Sequence, residues 1–181
     1  MGGNSDSPEQ GSVFIHNAVP EKNHMKILLY TLSTFPDIQS LSRFQPFIFK
    51  KLKTDFQNFT RHILKTKPTL IIGVARSANS SHFEIKAVNR FNRNKKINAY
   101  GIAEYPLTYP SQGFGKIGVS SRFTDTFCNW TMYKISEFIN SSSIGLQFVH
   151  IHPRDISDLI SYLSQINNEK EFRVNTRDSV N

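Results

Sequence analysis

The sequence predicts an α/β protein: a three-layer sandwich with a mostly parallel central sheet and helices on both faces. Three observations carry that prediction. Short apolar runs at 25–31, 69–75 and 146–151 have the near-continuous hydrophobicity of strands buried on both sides. Apolar residues recur at helical spacing in the segments between and after them. Strands alternating with helices along one chain call for crossover connections and parallel pairing. With 181 residues, of which 38% are hydrophobic, the chain is long enough to bury one proper core.

Each element follows in order. Residues 1–24 are rich in Gly, Ser, Asn, Asp, Glu and Pro, which predicts a disordered leader ahead of a domain spanning 25–167. Met25 to Thr31 gives the first strand. Phe44, Ile48, Leu52, Phe56, Phe59 and Ile63 predict one long amphipathic helix, ended by Lys67-Pro68. Thr69 to Ala75 gives the second strand, and Phe83 to Val88 a strand of alternating character. Residues 90–115 read as turns and loop, followed by a short strand at Ile117 to Ser120. Cys128, Met132, Ile135 and Ile139 form the inner stripe of the next helix. Leu146 to Ile151 is a strand. Ile156, Leu159, Ile160, Leu163 and Ile166 mark a final helix with Asp155 as its expected cap, and 168–181 forms a polar tail.

Composition narrows the function classes. The formal net charge of +8 invites a nucleic-acid partner, but the basic residues are scattered and no recognition motif organises them. The densest group, at 90–96, reads as solvated surface. No run approaches the ~20 apolar residues of a membrane span, and the first residues lack the apolar core of a secretory signal. Of four glycosylation sequons, the one at Asn129 adjoins the only cysteine, where a glycan would obstruct the helix. An unpaired thiol and such a sequon favour a reducing, cytoplasmic setting.

That cysteine is the centre of the functional reading. Cys128 has no partner for an intramolecular disulfide, so it serves packing or chemistry. It sits at a helix start, where positive potential favours thiolate and should lower its pKa. A glutamate upstream on a strand (Glu84) and a histidine at a strand end (His150) complete a cysteine–imidazole–carboxylate set suited to acyl transfer. The plainer alternative is a small buried hydrophobe at 128 and a core histidine at 150. His150-Ile151-His152 also puts two imidazoles on one strand face, a weak signal on which no metal is expected.

The motifs around these residues resemble the pyroglutamyl peptidase I (pyrrolidone-carboxylate peptidase) family. Gly73-Val74-Ala75 and then Glu84-Ile85-Lys86-Ala87-Val88-Asn89 are similar to its Gly-x-Ala and Glu-Arg-Val-Ala-Ile-Asn segments, at the same offset. Cys128-Asn129 with Tyr133 resembles its nucleophile segment, and Phe148-Val149-His150 its Phe-Ile-His strand. Lys26 to Leu29 with Phe35 resembles its opening strand and loop. Arg76-Ser77-Ala78 stands where the family has Gly-Gly-Arg, and the stretch between Glu84 and Cys128 is shorter than in the family. The resemblance covers roughly residues 26–165 and implies a divergent, shortened cysteine peptidase that removes N-terminal pyroglutamate. It implies Cys128 as nucleophile, His150 as base with His152 as fallback, and Glu84 as orienting acid. It further implies that Phe35 walls the lactam ring, that the Val74 main chain meets the lactam, and that no cofactor takes part. The implied partner is a peptide or small acyl-amide, with homo-oligomer assembly left open. The alternatives are a decayed or respecified member acting as a binding or scaffold module, or another acyl-amide hydrolase.

Overall fold

The computed structural model describes residues 25–92, 95–124 and 126–168. The expected leader at 1–24, Arg93 of the basic group and residues 169–181 of the expected tail lie outside the described residues. Asn168, expected in that tail, closes the last helix instead.

The elements run β1 (Ile27–Leu32), a 3-10 helix (Ile38–Phe44), β2 (Phe47–Phe49), α1 (Leu52–Thr66), β3 (Leu70–Arg76), β4 (His82–Glu84) and β5 (Lys86–Val88). They continue with β6 (Glu104–Pro106), β7 (Gly118–Ser120), α2 (Phe127–Ile139), β8 (Gly145–Ile151), a 3-10 turn (Pro153–Asp155) and α3 (Ile156–Asn168). Six strands form the central sheet in the order β2-β1-β3-β8-β4-β7. The β2-β1-β3-β8 block is wholly parallel, while β4 runs antiparallel to β8 and carries β7 parallel to itself. The predicted mostly parallel sandwich is the observed one.

Alternation along the strands separates two cores. Leu28, Tyr30, Ile71 and Phe148 meet Phe59 and Ile63 of α1 and Met132 and Ile135 of α2 on one face. Leu29, Ile72, Val74, Val149 and Ile151 meet Leu159, Tyr162 and Ile166 of α3 on the other. Gly73 has a specific reason to lack a side chain. A Cβ there would lie 2.3 Å from the Phe148 ring and 2.4 Å from the Tyr30 ring, which close over it from the flanking strands.

Two sequence expectations need correction. The single long helix from Phe44 is a 3-10 helix, a strand and a shorter helix. Gln45 adopts φ 49°, and Pro46 has no N–H to continue a helical ladder. Phe47 and Phe49 then pair with β1 and stack on Phe59 at ring separations of 5.0 and 5.2 Å. Helix α1 begins only where Asp55 Oδ2 accepts the Lys50 and Lys51 N–H groups, each at 2.6 Å. The strand expected over 83–88 breaks at Ile85. Its first half stays in the main sheet, and β5 leaves to pair with β6 in a separate antiparallel ribbon.

Candidate active site

Period-two geometry assembles the acid–base part of the site. His82 and Glu84 alternate around Phe83, which points into the α3 core, so both face the α2 side of the sheet. Across the β4–β8 seam His82 is register partner of His150, and the two rings lie 5.2 Å apart. Glu84 Oε1 is 3.0 Å from His150 Nδ1 and 3.6 Å from His82 Nε2. The 3.0 Å approach has ion-pair distance without hydrogen-bond alignment, so Nδ1 makes no directed bond. Glu84 Oε2 is likewise buried without a hydrogen-bond partner, in a side chain only 2% exposed.

The charges follow from these neighbours. Burial works to raise the Glu84 pKa, but the imidazoles of His150 and His82 outweigh it and hold the carboxyl below its ordinary value. Glu84 in turn raises the His82 pKa against a smaller opposing effect of burial, helped by the Ser80 carbonyl 3.0 Å from Nδ1. His82 is the residue that sequence reasoning passed over. Its signal was the two-residue spacing to Glu84.

Cys128 occupies the first turn of α2, as expected, and packs beside the core that holds Phe148. The expectation of a lowered thiol pKa is not met. Burial pushes Cys128 up to about 11; a hydrogen bond with the Thr126 hydroxyl lowers it by less, and the Glu84 charge raises it further. A helix start favours thiolate only while the sulfur keeps enough solvent, and this one is largely enclosed. The start of α2 is pinned by Asn129, which is fully buried. Its Nδ2 donates to the carbonyls of Val88 (2.8 Å) and Arg90 (2.6 Å), and its Oδ1 accepts the Val88 N–H at 2.9 Å. Tyr133 one turn on donates to the Ile102 carbonyl at 2.8 Å, and Asn89 Oδ1 accepts from the Ile97 and Asn98 N–H groups. Asn129 and Tyr133 thus hold β5 and the Ile102 carbonyl ahead of β6 onto α2, while Asn89 ties Ile97 and Asn98 back to the end of β5.

The other sequence-derived site residues separate from this group. His152 lies just past β8, where its Nδ1 accepts the Arg154 N–H at 3.3 Å, and His150 is the histidine that meets Glu84. Asp155, the expected helix cap, accepts instead from Ser81 Oγ at 2.7 Å. Phe35 and the Val74 side chain are buried in the α3-side core, and the Val74 carbonyl accepts the Thr31 hydroxyl at 2.8 Å.

Two clefts flank the group. One of about 730 Å³ is lined by His82, Glu84 and His150 together with Arg76, Lys116 and Arg122. The second, about 480 Å³, is mainly apolar, with Leu32, Phe49, Leu52, Phe91, Phe127 and Trp130 in its wall. Cys128 lines neither of the two, but its sequence neighbour Phe127 and Trp130 on the same turn line the apolar one. Among the described residues no helix is long and apolar enough to cross a membrane.

No protein-family model matches the sequence, and no curated protein sequence matches it. Solved structures do. The pyrrolidone carboxyl peptidase from Thermococcus litoralis is similar at TM-score 0.62 and 16% identity, over 78% of this chain and 91% of that one. Pyroglutamyl peptidase I from Bacillus amyloliquefaciens is similar at TM-score 0.64 and 17% identity, over 82% and 97%. The pyrrolidone carboxyl peptidase of Fervidobacterium islandicum gives 0.59 and 11%, over 78% and 96%. These similarities span nearly the whole length of each neighbour, and the chain therefore has the fold of the pyroglutamyl peptidases.

Proposed function

We propose that this chain is a divergent cysteine peptidase of the pyroglutamyl peptidase I family, removing N-terminal pyroglutamate from peptides through a thioester. The observation that carries the reading is the buried Glu84–His150 contact at 3.0 Å, on a fold shared with those peptidases. The only cysteine starts the helix that covers the same sheet face, which supports the same reading. Cys128 is the nucleophile, His150 the base and Glu84 the carboxylate that faces the imidazole across the seam.

In this mechanism the thiol rests protonated, so attack is coupled to proton transfer. The Cys128 Sγ–H proton passes to the His150 imidazole as sulfur bonds to the acyl carbon. The carbonyl π pair moves onto oxygen, where N–H groups of the first turn of α2 are natural donors. Collapse breaks the C–N bond, and the imidazolium returns its proton to the leaving amine. Water, deprotonated by His150, then attacks the thioester, and the departing sulfur regains a proton. Glu84 favours the charged imidazole that both steps pass through.

The apolar cleft beside Phe127 suits a neutral lactam ring. With Phe35 packed in the opposite core, Leu32, Phe91 and Phe127 take over as the ring's walls in this reading. A free thiol that must stay reduced fits a cytoplasmic setting.

The neutral, enclosed thiol favours one second reading, a catalytically silent member that retains the site as a binding module. A fluorogenic pyroglutamyl-amide assay on the purified chain separates the two. Turnover that disappears in Cys128→Ser supports the peptidase; absence of any turnover in a folded chain favours the binding module, and turnover surviving in Cys128→Ser refutes the mechanism.

A further inference from the structure

We infer that His82, Glu84 and His150 form a site for a zinc-like divalent cation, and that the ion, when bound, takes the His150 imidazole out of service as a base. The blockade rests on the proposed peptidase reading; the binding does not. One ligand atom from each of the three side chains lies within 4.8 Å of the other two, which makes a compact N/O cluster. The Oε1–Nδ1 and Oε1–Nε2 separations of 3.0 and 3.6 Å bracket the roughly 3.3 Å edge of a tetrahedron with metal–ligand bonds of about 2.0 Å. The third ligand–ligand separation also lies within 4.8 Å, so side-chain adjustment along that edge would bring the three onto one ion.

Two further observations point to a ligand here. His150 Nδ1, one of the three ligand atoms, is buried without a hydrogen-bond partner, an expensive arrangement that coordination would relieve. His82 Nδ1 lies 3.0 Å from the Ser80 carbonyl, so a proton placed there leaves the Nε2 lone pair facing Glu84. Backbone support of the second ring nitrogen is what a metal-binding histidine ordinarily has. Two imidazoles and one carboxylate suit Zn²⁺ and its first-row neighbours better than Mg²⁺ or Ca²⁺, which prefer oxygen alone. Three protein ligands leave a fourth position toward the 730 Å³ cleft, where Arg76, Lys116 and Arg122 would draw an anionic ligand or water.

The consequence for catalysis follows from imidazole chemistry. A metal on Nδ1 displaces the proton that faces Glu84 and leaves the remaining ring proton on Nε2. That nitrogen then has no lone pair with which to accept the Cys128 proton. Metal and acyl transfer are therefore mutually exclusive uses of one histidine.

Titration calorimetry of the chelator-treated full chain with Zn²⁺ tests the binding without reference to activity. The expected result is one saturable site per chain, weakened at least about 100-fold in His82→Ala and in Glu84→Gln. Cys128→Ser should bind within about threefold of the parent, because sulfur is not a ligand. Co²⁺ should give visible d–d absorption that His82→Ala abolishes, and circular dichroism verifies that each variant is folded. No saturable binding, binding unchanged in a folded His82→Ala, or binding lost in Cys128→Ser each overturns the site. In a preparation active on a pyroglutamyl amide, Zn²⁺ should inhibit with a midpoint matching the calorimetric Kd. Saturation without inhibition overturns the blockade, and an inactive chain that still binds Zn²⁺ counts against the peptidase reading alone.

Discussion

The candidate site has two halves built on opposite electrostatic terms. On the sheet, Glu84 sits between two imidazoles that hold its carboxyl charged despite burial. On the helix, Cys128 sits among apolar groups, with a neighbouring carboxylate that discourages its ionisation. The two halves therefore favour opposite charge states. The sheet half holds a buried carboxylate charged beside two imidazoles, while the helix half holds its thiol protonated. A preformed thiolate–imidazolium pair would need both halves to favour charge, and only one does.

Breaking either half tests that division. The largest effect is expected from Cys128→Ser or His150→Ala, each of which should cut turnover of a pyroglutamyl amide by at least about 1,000-fold. His152→Ala should stay within a few-fold, since His152 caps a turn away from Glu84. A comparable loss on changing His152 would mean that the base had been assigned to the wrong strand position.

Removing the acid should cost stability as well as rate. Glu84→Ala removes the carboxylate that His82 and His150 both face and opens space in a buried seam. Breaking a buried pair from one side costs about 3–5 kcal/mol. Denaturant unfolding that moved by less than about 1 kcal/mol would show that the seam is solvated and the carboxylate weakly held.

The helix half depends on Asn129 in the same sense. Asn129→Ala strands the buried Val88 N–H, at about 1–3 kcal/mol for a buried group left unpaired, and removes the bond to the Arg90 carbonyl, while the Val88 carbonyl keeps the Arg90 N–H at 2.7 Å. The change should loosen the start of α2 and therefore the position of Cys128. Gly73→Ala acts on the sheet half by steric pressure. Its methyl meets the Tyr30 and Phe148 rings, and overpacking of this kind costs about 1–3 kcal/mol. Phe148 precedes His150 by two residues on β8, so the strain falls on the strand that presents His150. A Gly73→Ala protein with unchanged unfolding and unchanged turnover would show that the rings can move aside freely.

The legible parts of this molecule are those where one face or one period governs. The apolar runs of β1, β3 and β8 and the inner stripe of α2 were readable because burial on a fixed face leaves little freedom of residue type. Glu84, Cys128 and His150 were readable as a candidate set, and of these the structure brings Glu84 and His150 into contact. What could not be read arises from competition between local signals. Phe44, Ile48 and Leu52 keep helical spacing by coincidence, and Pro46 with the left-handed Gln45 outweighs it. The departure of β5 from the sheet depends on Asn129 and on β6, which are remote in sequence. The thiol pKa was misjudged for the same reason. A helix start is visible in the sequence, whereas the enclosure of its sulfur is a tertiary fact.

The subtlest test concerns that thiol. Iodoacetamide labelling of the folded chain should titrate above the ordinary thiol value of 9.0, toward about 11. The neighbours fix the signs of two variants. Glu84→Gln removes a negative charge that raises the thiol, so its midpoint should fall; Thr126→Val removes a hydrogen bond that lowers it, so its midpoint should rise. Linkage gives an independent readout. Because the folded value is the higher one, the thiol's contribution to stability is fully present below about pH 9 and is lost as pH rises through about 11. A Cys128→Ser chain, with no group titrating there, should lose less stability than the parent across that window. A labelling midpoint below 8 that rises when His150 is replaced would reverse the comparison. It would place a thiolate–imidazolium pair in the resting protein and make both halves of the site charged.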